Sequence, residues 1–378
     1  MTNNYDIQFK NSFDHNLILQ HDFIKDTYKK CSKYTNSIFN TYDKTEYDIV
    51  YAIGDVHGDY ESLIIILEYI KCIEYRKENN KNKIHWNSNC KNICLIQTGD
   101  IMDGYRHDNP NKDFISKDLK AIKLLLRLSE ECLQYNSRVI LIYGNHEISA
   151  FYRMIDKVKL DNYAKAMLNP TNEKIQAYNK KLRNLEEQIT CNYHTICIVN
   201  GYIFCHSGFI LKIIMNILNS FKINEEDFVN LKVSDKLFLI NICSLGIFQY
   251  ILSGKVNKNF INQLRFNFMK VFNNREYESI VHEIKHLSSF KKIKLLNNMN
   301  ETNLILNAKG MIIGHNTITK CKINHYNNLW GIDAKISEGF GEDKINAIFQ
   351  ILKIEKDKDP EVISIPNKNF KRLTLSNV

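Results

Sequence analysis

Three times in the chain an apolar run stops at a glycine and gives way at once to polar, metal-capable side chains. Ile49 to Ile53 leads into Gly54-Asp55-Val56-His57-Gly58. Ile93 to Thr98 leads into Gly99-Asp100-Ile101-Met102-Asp103-Gly104, and Val139 to Tyr143 into Gly144-Asn145-His146-Glu147. The steps from Asp55 to Asp100 and from Asp100 to Asn145 are each 45 residues. A short apolar run, a tight turn and then a helix is a strand–loop–helix unit. Asp59 is placed to cap the first helix, in which Leu63, Ile66, Leu67 and Ile70 recur at helical spacing. A polar loop is expected from Arg76 to Lys91, and a second helix from Ser116 to Gln134 with Ile122, Leu125 and Leu126 inward. Successive strands of an α/β sheet carry their loops to one sheet edge, so the three polar clusters are predicted to converge.

Two later elements repeat the pattern. Tyr193 to Val199 reads as a strand, Asn200-Gly201 as a two-residue hairpin turn, and Tyr202 to Cys205 as the return strand that delivers His206-Ser207-Gly208. Met311 to Ile313 leads into Gly314-His315. Together these residues make a donor set for two divalent ions. Asp100 is the natural bridge, Asp55 and His57 complete one site, and Asn145, His206 and His315 complete the other. Mixed oxygen and nitrogen donors suit Mn, Fe or Zn better than Mg or Ca. Two ions ~3.5–4 Å apart lower the pKa of a shared water and neutralise a phosphate, and the resulting hydroxide attacks phosphorus in line. His146, next to a ligand, is placed to protonate the leaving group, with Asp103 holding its imidazole.

These residues resemble the calcineurin-like metallophosphoesterase superfamily, and within it the PPP-type serine/threonine phosphatases of the bacterial-like (Shewanella-like) branch. That family shows GDxHG, GDxxDRG, GNHE, HGG and GH in order; here they read GDVHG, GDIMDG, GNHE, HSG and GHN, spanning Tyr51 to about Phe340. Ile332 to Ser337 resembles that branch's closing strand and loop. The resemblance implies an α/β (α+β) fold: a β-sandwich flanked by helices, with the metals at its strand ends and helical cap insertions. Spacing alone would give a generic α/β sheet. It also implies a dinuclear-metal phosphomonoesterase, a phosphoprotein phosphatase acting on phospho-Ser/Thr or phospho-Tyr, in which Asn145 also meets the phosphate.

The chain departs from the family where the phosphate is gripped. Gly104 stands where the family has an arginine. Arg106 is a substitute, and Arg153 matches an arginine found after GNHE in the bacterial-like branch. No tryptophan–arginine pair follows His206; Arg265 and Arg275 are the replacements on offer. Two alternatives follow. One is a hydrolase of small phosphate esters or dinucleoside polyphosphates. The other, favoured by Gly104, is a pseudophosphatase that binds metal or a partner and turns over poorly.

The rest of the sequence limits the setting. Residues 1–46 are expected to be an extension anchored by Phe9, Phe13, Leu17, Ile18 and Leu19, and 47–370 the catalytic domain. Insertions are expected at 147–190, with Ile175, Tyr178, Leu182, Leu185 and Ile189 on one helical stripe, and at 209–309. The first reads equally as a lid or a surface helix. The longest uncharged apolar run, Leu237 to Leu252, is shorter than the ~20 residues of a membrane span and reads as a buried helix. No signal-peptide layout opens the chain, which suggests a cytoplasmic protein. The net charge of +9 is spread out and suits anionic substrates without marking a dedicated nucleic-acid surface. The ten cysteines have no repeated spacing, Cys90 and Cys94 being the nearest to a pair, so reduced thiols are expected. Asp333 reads as a hydrogen-bonded strand-end residue, and His107, His194 and His325 as structural or exposed. His282-Glu283-Ile284-Lys285-His286 matches the zinc-protease HExxH pattern, but no third ligand follows at a familiar spacing, so it reads as an exposed helical turn. Nothing in the sequence fixes the oligomeric state.

Overall fold

The computed structural model describes residues 22–34, 45–103, 117–155, 172–252, 269–277, 289–316, 322–336 and 348–366. In chain order the first elements are α1 (Asp22–Cys31), β1 (Ile49–Ile53), α2 (Tyr60–Tyr69), β2 (Ile73–Glu78), β3 (Lys81–Trp86), β4 (Ile93–Gln97), α3 (Asp118–Glu131) and β5 (Arg138–Ile142). Helices α4 (Asn145–Ile155) and α5 (Asn172–Asn192) lead to β6 (Tyr193–His194), β7 (Ile196–Val199) and β8 (Tyr202–Cys205). Then come α6 (Leu211–Asn219), α7 (Glu225–Asn230), α8 (Val233–Leu252) and α9 (Ser289–Ile305). The described chain closes with β9 (Gly310–Ile313), β10 (Asn324–Tyr326), β11 (Leu329–Gly331), β12 (Ile348–Glu355) and β13 (Glu361–Pro366).

Two sheets carry the fold. One has the order β13-β12-β1-β4-β5-β6, the other β10-β11-β9-β8-β7. Strands β1, β4, β5 and β6 run parallel. Successive side chains on a strand face opposite ways, and the packing follows that period. Val50 and Ala52 of β1, Cys94 and Ile96 of β4, and Ile140 and Ile142 of β5 meet Val199, Phe204 and Ile312 of the second sheet in one core. The alternate residues Tyr51, Ile53, Leu95, Val139 and Leu141 join a second core with the helices. The result is the β-sandwich flanked by helices that the motifs imply. It explains why these strands read as unbroken apolar runs: both faces are buried. The capping expected of Asp59 is present, its Oδ1 accepting the Ser62 N–H at 3.0 Å.

Four expectations need correction. The stretch read as a polar loop from Arg76 holds most of the antiparallel hairpin β2–β3, which starts at Ile73 and turns at Asn79 and Asn80, both at positive φ. Its strands carry little apolar alternation, because most of their side chains face solvent and only Ile73, Ile84 and Trp86 are buried. Tyr193 to Val199 is two strands, because the chain passes from the first sheet to the second at Thr195. Asn241 of α8 fixes that break, its Oδ1 accepting the Thr195 N–H at 2.6 Å. The closing strand ends at Gly331, and 332–336 follow without regular structure. Finally, Cys31 and Cys191 form a disulfide that ties α1 to the end of α5. Cys90 does not pair with Cys94; its thiol donates to the Lys71 carbonyl at 3.0 Å.

Helix α8 contains the long apolar run and is buried nearly all round, as Leu237, Leu239, Ile242, Leu245 and Phe248 attest. Among the described residues no helix is long and apolar enough to cross a membrane. On α5, Leu182, Leu185 and Ile189 are buried and Tyr178 is half-buried, while the side chain of Ile175 lies outside the described residues. The proposed N-terminal anchors, residues 9 to 19, and the HExxH pattern at 282–286 also lie outside them.

Candidate metal centre

The loops at the ends of β1, β4, β5, β8 and β9 meet, and their polar side chains turn toward one another. Two groups of donor atoms result: His57, Asp100 and His146 in one, Asp100, His206 and His315 in the other, with all atoms of a group within 4.8 Å of one another. Asp100 belongs to both. Its Oδ1 accepts the His146 main-chain N–H at 2.9 Å, while its Oδ2 stands 3.3 Å from His206 Nε2, 3.8 Å from His146 Nε2 and 3.9 Å from His57 Nε2. Asp55 adds a carboxylate 3.9 Å from His57 Nε2. Asn145 adds an amide oxygen 3.0 Å from His206 Nε2.

Such loops demand unusual backbone. His57, Asp100, Asp103 and His315 all adopt positive φ, between 44° and 61°. A non-glycine residue there costs of order 1–3 kcal/mol, and such strain clusters at functional sites. The glycines beside them serve close approach. A Cβ at Gly144 would overlap an Asp100 carboxylate oxygen, and one at Gly314 would overlap an Asp55 oxygen.

Hydrogen bonds set which nitrogen each histidine offers. His57 Nδ1 lies 3.1 Å from the Met102 carbonyl and His206 Nδ1 lies 2.8 Å from the Thr98 carbonyl. Each Nδ1 therefore carries the proton and donates it to a carbonyl, leaving Nε2 to face the carboxylates. His315 is buried, and its Nε2 has no hydrogen-bond partner among the described residues. Burial and the neighbouring His206 charge press its pKa down to about 3, so it is a neutral lone-pair donor. Burial disfavours the Asp100 anion, but the His206, His146 and His57 charges outweigh it and hold that carboxyl well below the usual range. His206 shifts the other way: burial opposes its charge, and Asp100 and the Thr98 carbonyl overcome burial and raise it. With Nδ1 committed to Thr98, His206 Nε2 faces Asp100 Oδ2 and Asn145 Oδ1; a proton on Nε2 serves both oxygens, and once that proton leaves the three atoms offer lone pairs to one point, a donor set that fits a divalent cation.

The Nδ1 of His146 is taken up by Asp103, whose Oδ2 lies 2.9 Å away; Asp103 is buried and His146 half-buried. The His57 and His146 rings meet edge to face at 4.9 Å. Glu147 has a role that the motifs do not assign. Its carboxylate accepts main-chain N–H groups of Asp100, Ile101, Met102 and Gly144 at 2.7–2.9 Å, clamping two of the loops together. An acid in the first turn of a helix, directly after two polar site residues, is the signal in the sequence that points to it.

The structure thus brings together Asp55, His57, Asp100, Asp103, Asn145, His146, His206 and His315. Gly104, Arg106, His107 and Arg265 lie outside the described residues, as does the side chain of Arg153 on α4. Arg275 is near enough for its charge to act on His315. Asp333 is buried and accepts the Lys335 N–H at 3.4 Å. His194 is buried, and His325 stacks on Trp330 with ring centres 4.4 Å apart.

A profile of the family described as "Calcineurin-like phosphoesterase" matches residues 49–241. The chain is similar to "Shewanella-like protein phosphatase 1" of Plasmodium berghei (strain Anka): 31% identical over 223 residues, covering 56% of this chain and 50% of that one. It is also similar to an uncharacterized protein of Schizosaccharomyces pombe, 28% identical over 136 residues, covering 36% of this chain and 34% of that one. The chain therefore spans half or less of the length of these curated relatives. Among solved structures, a cold-active protein-tyrosine phosphatase of a psychrophilic Shewanella species aligns with a TM-score of 0.51 and 16% identity, over 85% of this chain and 82% of that one. That likeness is one of fold.

Proposed function

The chain belongs to the calcineurin-like phosphoesterase family, and from that premise we propose that it is a dinuclear-metal phosphomonoesterase acting on phosphoproteins. The observation that carries this reading is the sharing of Asp100 between two donor groups, with His146, a member of the first, paired through Nδ1 with Asp103. In this reading Asp55, His57 and Asp100 would hold one cation, and Asp100, Asn145, His206 and His315 the other; two divalent ions, Mn, Fe or Zn by the donor chemistry, would supply charge for the phosphoryl oxygens and lower the pKa of a water.

The remaining work falls to side chains. Asp103 accepts from His146 Nδ1, which stabilises the imidazolium and fixes its ring. His146 Nε2 then gives its proton to the leaving oxygen of the phosphate ester. The Asn145 amide and the Arg275 guanidinium, with Arg106 and Arg153 as further candidates, steady the phosphate oxygens.

The likeness to a relative named as a Shewanella-like protein phosphatase supports a phosphoprotein substrate. A test is turnover, with added Mn, of phosphoserine, phosphothreonine and phosphotyrosine peptides beside a dinucleoside polyphosphate. Release of phosphate from the peptides is expected. Cleavage of the polyphosphate alone, or bound metal without any turnover, would contradict the proposal.

A further inference from the structure

Asp118 and Tyr178 take no part in the chemistry just described, yet they are joined to it. Asp118 opens α3 and is 2% exposed. Its Oδ2 accepts the Tyr178 hydroxyl of α5 at 2.8 Å, and its Oδ1 accepts the Leu119 N–H at 2.6 Å. The main-chain N–H of Asp103 also donates to this carboxylate. Asp103 is the residue at φ 59° whose side chain holds His146. A chain of contacts therefore runs from the Tyr178 hydroxyl to Asp118, to the Asp103 backbone, and through the Asp103 carboxylate to His146.

A buried carboxylate is a costly way to start a helix. Burying an ionised group is unfavourable unless it is fully hydrogen-bonded, and an amide or hydroxyl serves a helix N-terminus without that cost. Asp118 also sits within electrostatic reach of Asp103, a like charge, which makes the placement dearer. What only an anion does here is accept three donors at once, one of them the strained backbone of Asp103.

We propose that Asp118, held by the Tyr178 hydroxyl, is a positioning residue for proton transfer: it fixes the main chain of Asp103, and through Asp103 the proton-donating face of His146. The insertion helix α5 thereby becomes part of the acid machinery. The inference rests on the phosphomonoesterase reading above, with His146 as the acid.

The test separates leaving groups. Nitrophenolate departs from p-nitrophenyl phosphate with little need of a proton, whereas the oxygen of phenyl phosphate needs one. Measured in the full chain with Mn, Asp118→Asn is expected to lower kcat on phenyl phosphate about 10–100-fold with KM within about 2-fold, and kcat on p-nitrophenyl phosphate by no more than about 3-fold. Tyr178→Phe removes one hydroxyl and should show the same asymmetry at about 3–10-fold, so it carries the test if Asp118→Asn does not fold. Metal content should match wild type in both. His146→Asn is the control and should show the largest asymmetry. Equal losses on both esters, or none on either, would overturn the proposal while wild type turns over and His146→Asn keeps its asymmetry. A wild type inert on both esters, or a symmetric His146→Asn, would overturn the parent reading and this inference with it.

Discussion

Both carboxylate oxygens of Asp55 stand 3.1 Å from the main-chain nitrogen of His315, 260 residues along the chain. The first and last loops of the centre are thus locked to each other by one buried acid. The lock needs Gly314, since a Cβ there would overlap Asp55 and crowd the Thr98 hydroxyl. Gly314→Ala is expected to cost about 1–3 kcal/mol by overpacking. Elemental analysis should find less metal per chain than in wild type, and a thermal melt should show the lower stability.

Glu147 is the corresponding clamp on the other side, accepting four main-chain N–H groups. Glu147→Gln keeps the shape but replaces one acceptor with a donor that faces donors. A loss of about 1–3 kcal/mol follows from the unsatisfied groups. Urea unfolding of the variant measures it, and an unchanged midpoint would refute the clamp.

Asp118 confers a pH dependence on stability. Burial comes first among the causes and pushes its pKa up from 3.8 to about 6; the Tyr178 bond opposes this and the Asp103 charge adds to it. A carboxyl with a raised folded-state pKa binds its proton more tightly when folded. Its contribution is therefore full below about pH 4 and lost as the pH rises through about 6. Facing it are Tyr178 from α5, the α3 backbone at Leu119, and Asp103 after β4. Wild type should lose on the order of 3 kcal/mol more than Asp118→Asn across that window, read as diverging unfolding curves. Parallel curves would count against it.

The Cys31–Cys191 bond closes a long stretch of chain, with a sequence separation of 160. It stands beside the Tyr34 hydroxyl bond to Glu187 at 2.7 Å, a second tie between the α1 region and α5. Reduction by dithiothreitol should lower unfolding free energy by about 2–4 kcal/mol, chiefly by freeing the unfolded chain. The Cys31→Ser, Cys191→Ser double variant should melt where the reduced protein does and show no further response to reductant.

The parts legible in the sequence were those written in local pattern. β1, β4, β5 and β9 are buried on both faces and run into glycine, so run and turn both announce themselves. Their polar ends are the site, which is why eight of its side chains could be named from spacing and resemblance. The β2–β3 hairpin was hidden by its charged outer face and by an Asn79-Asn80 turn in place of Asn-Gly. The break at Thr195 has no local cause, because Asn241 imposes it from α8. The disulfide joins cysteines with no shared spacing, and the Asp118–Tyr178 contact crosses 60 residues. Such long-range partners are set by packing, and a single sequence carries no trace of them.

The central claim is that Asp100 serves two cations at once, and one variant tests it most directly. Asp100→Asn keeps the shape and the acceptor for the His146 N–H but removes the charge that both donor groups share. Metal content and p-nitrophenyl phosphate turnover should be measured side by side, with Mn added. The account predicts two ions per chain in wild type, fewer in the variant, and a turnover loss of about 10³-fold or more, since a dinuclear centre supplies several kcal/mol of charge stabilisation. A variant that still binds two ions and hydrolyses the ester at close to the wild-type rate would contradict the shared-carboxylate account.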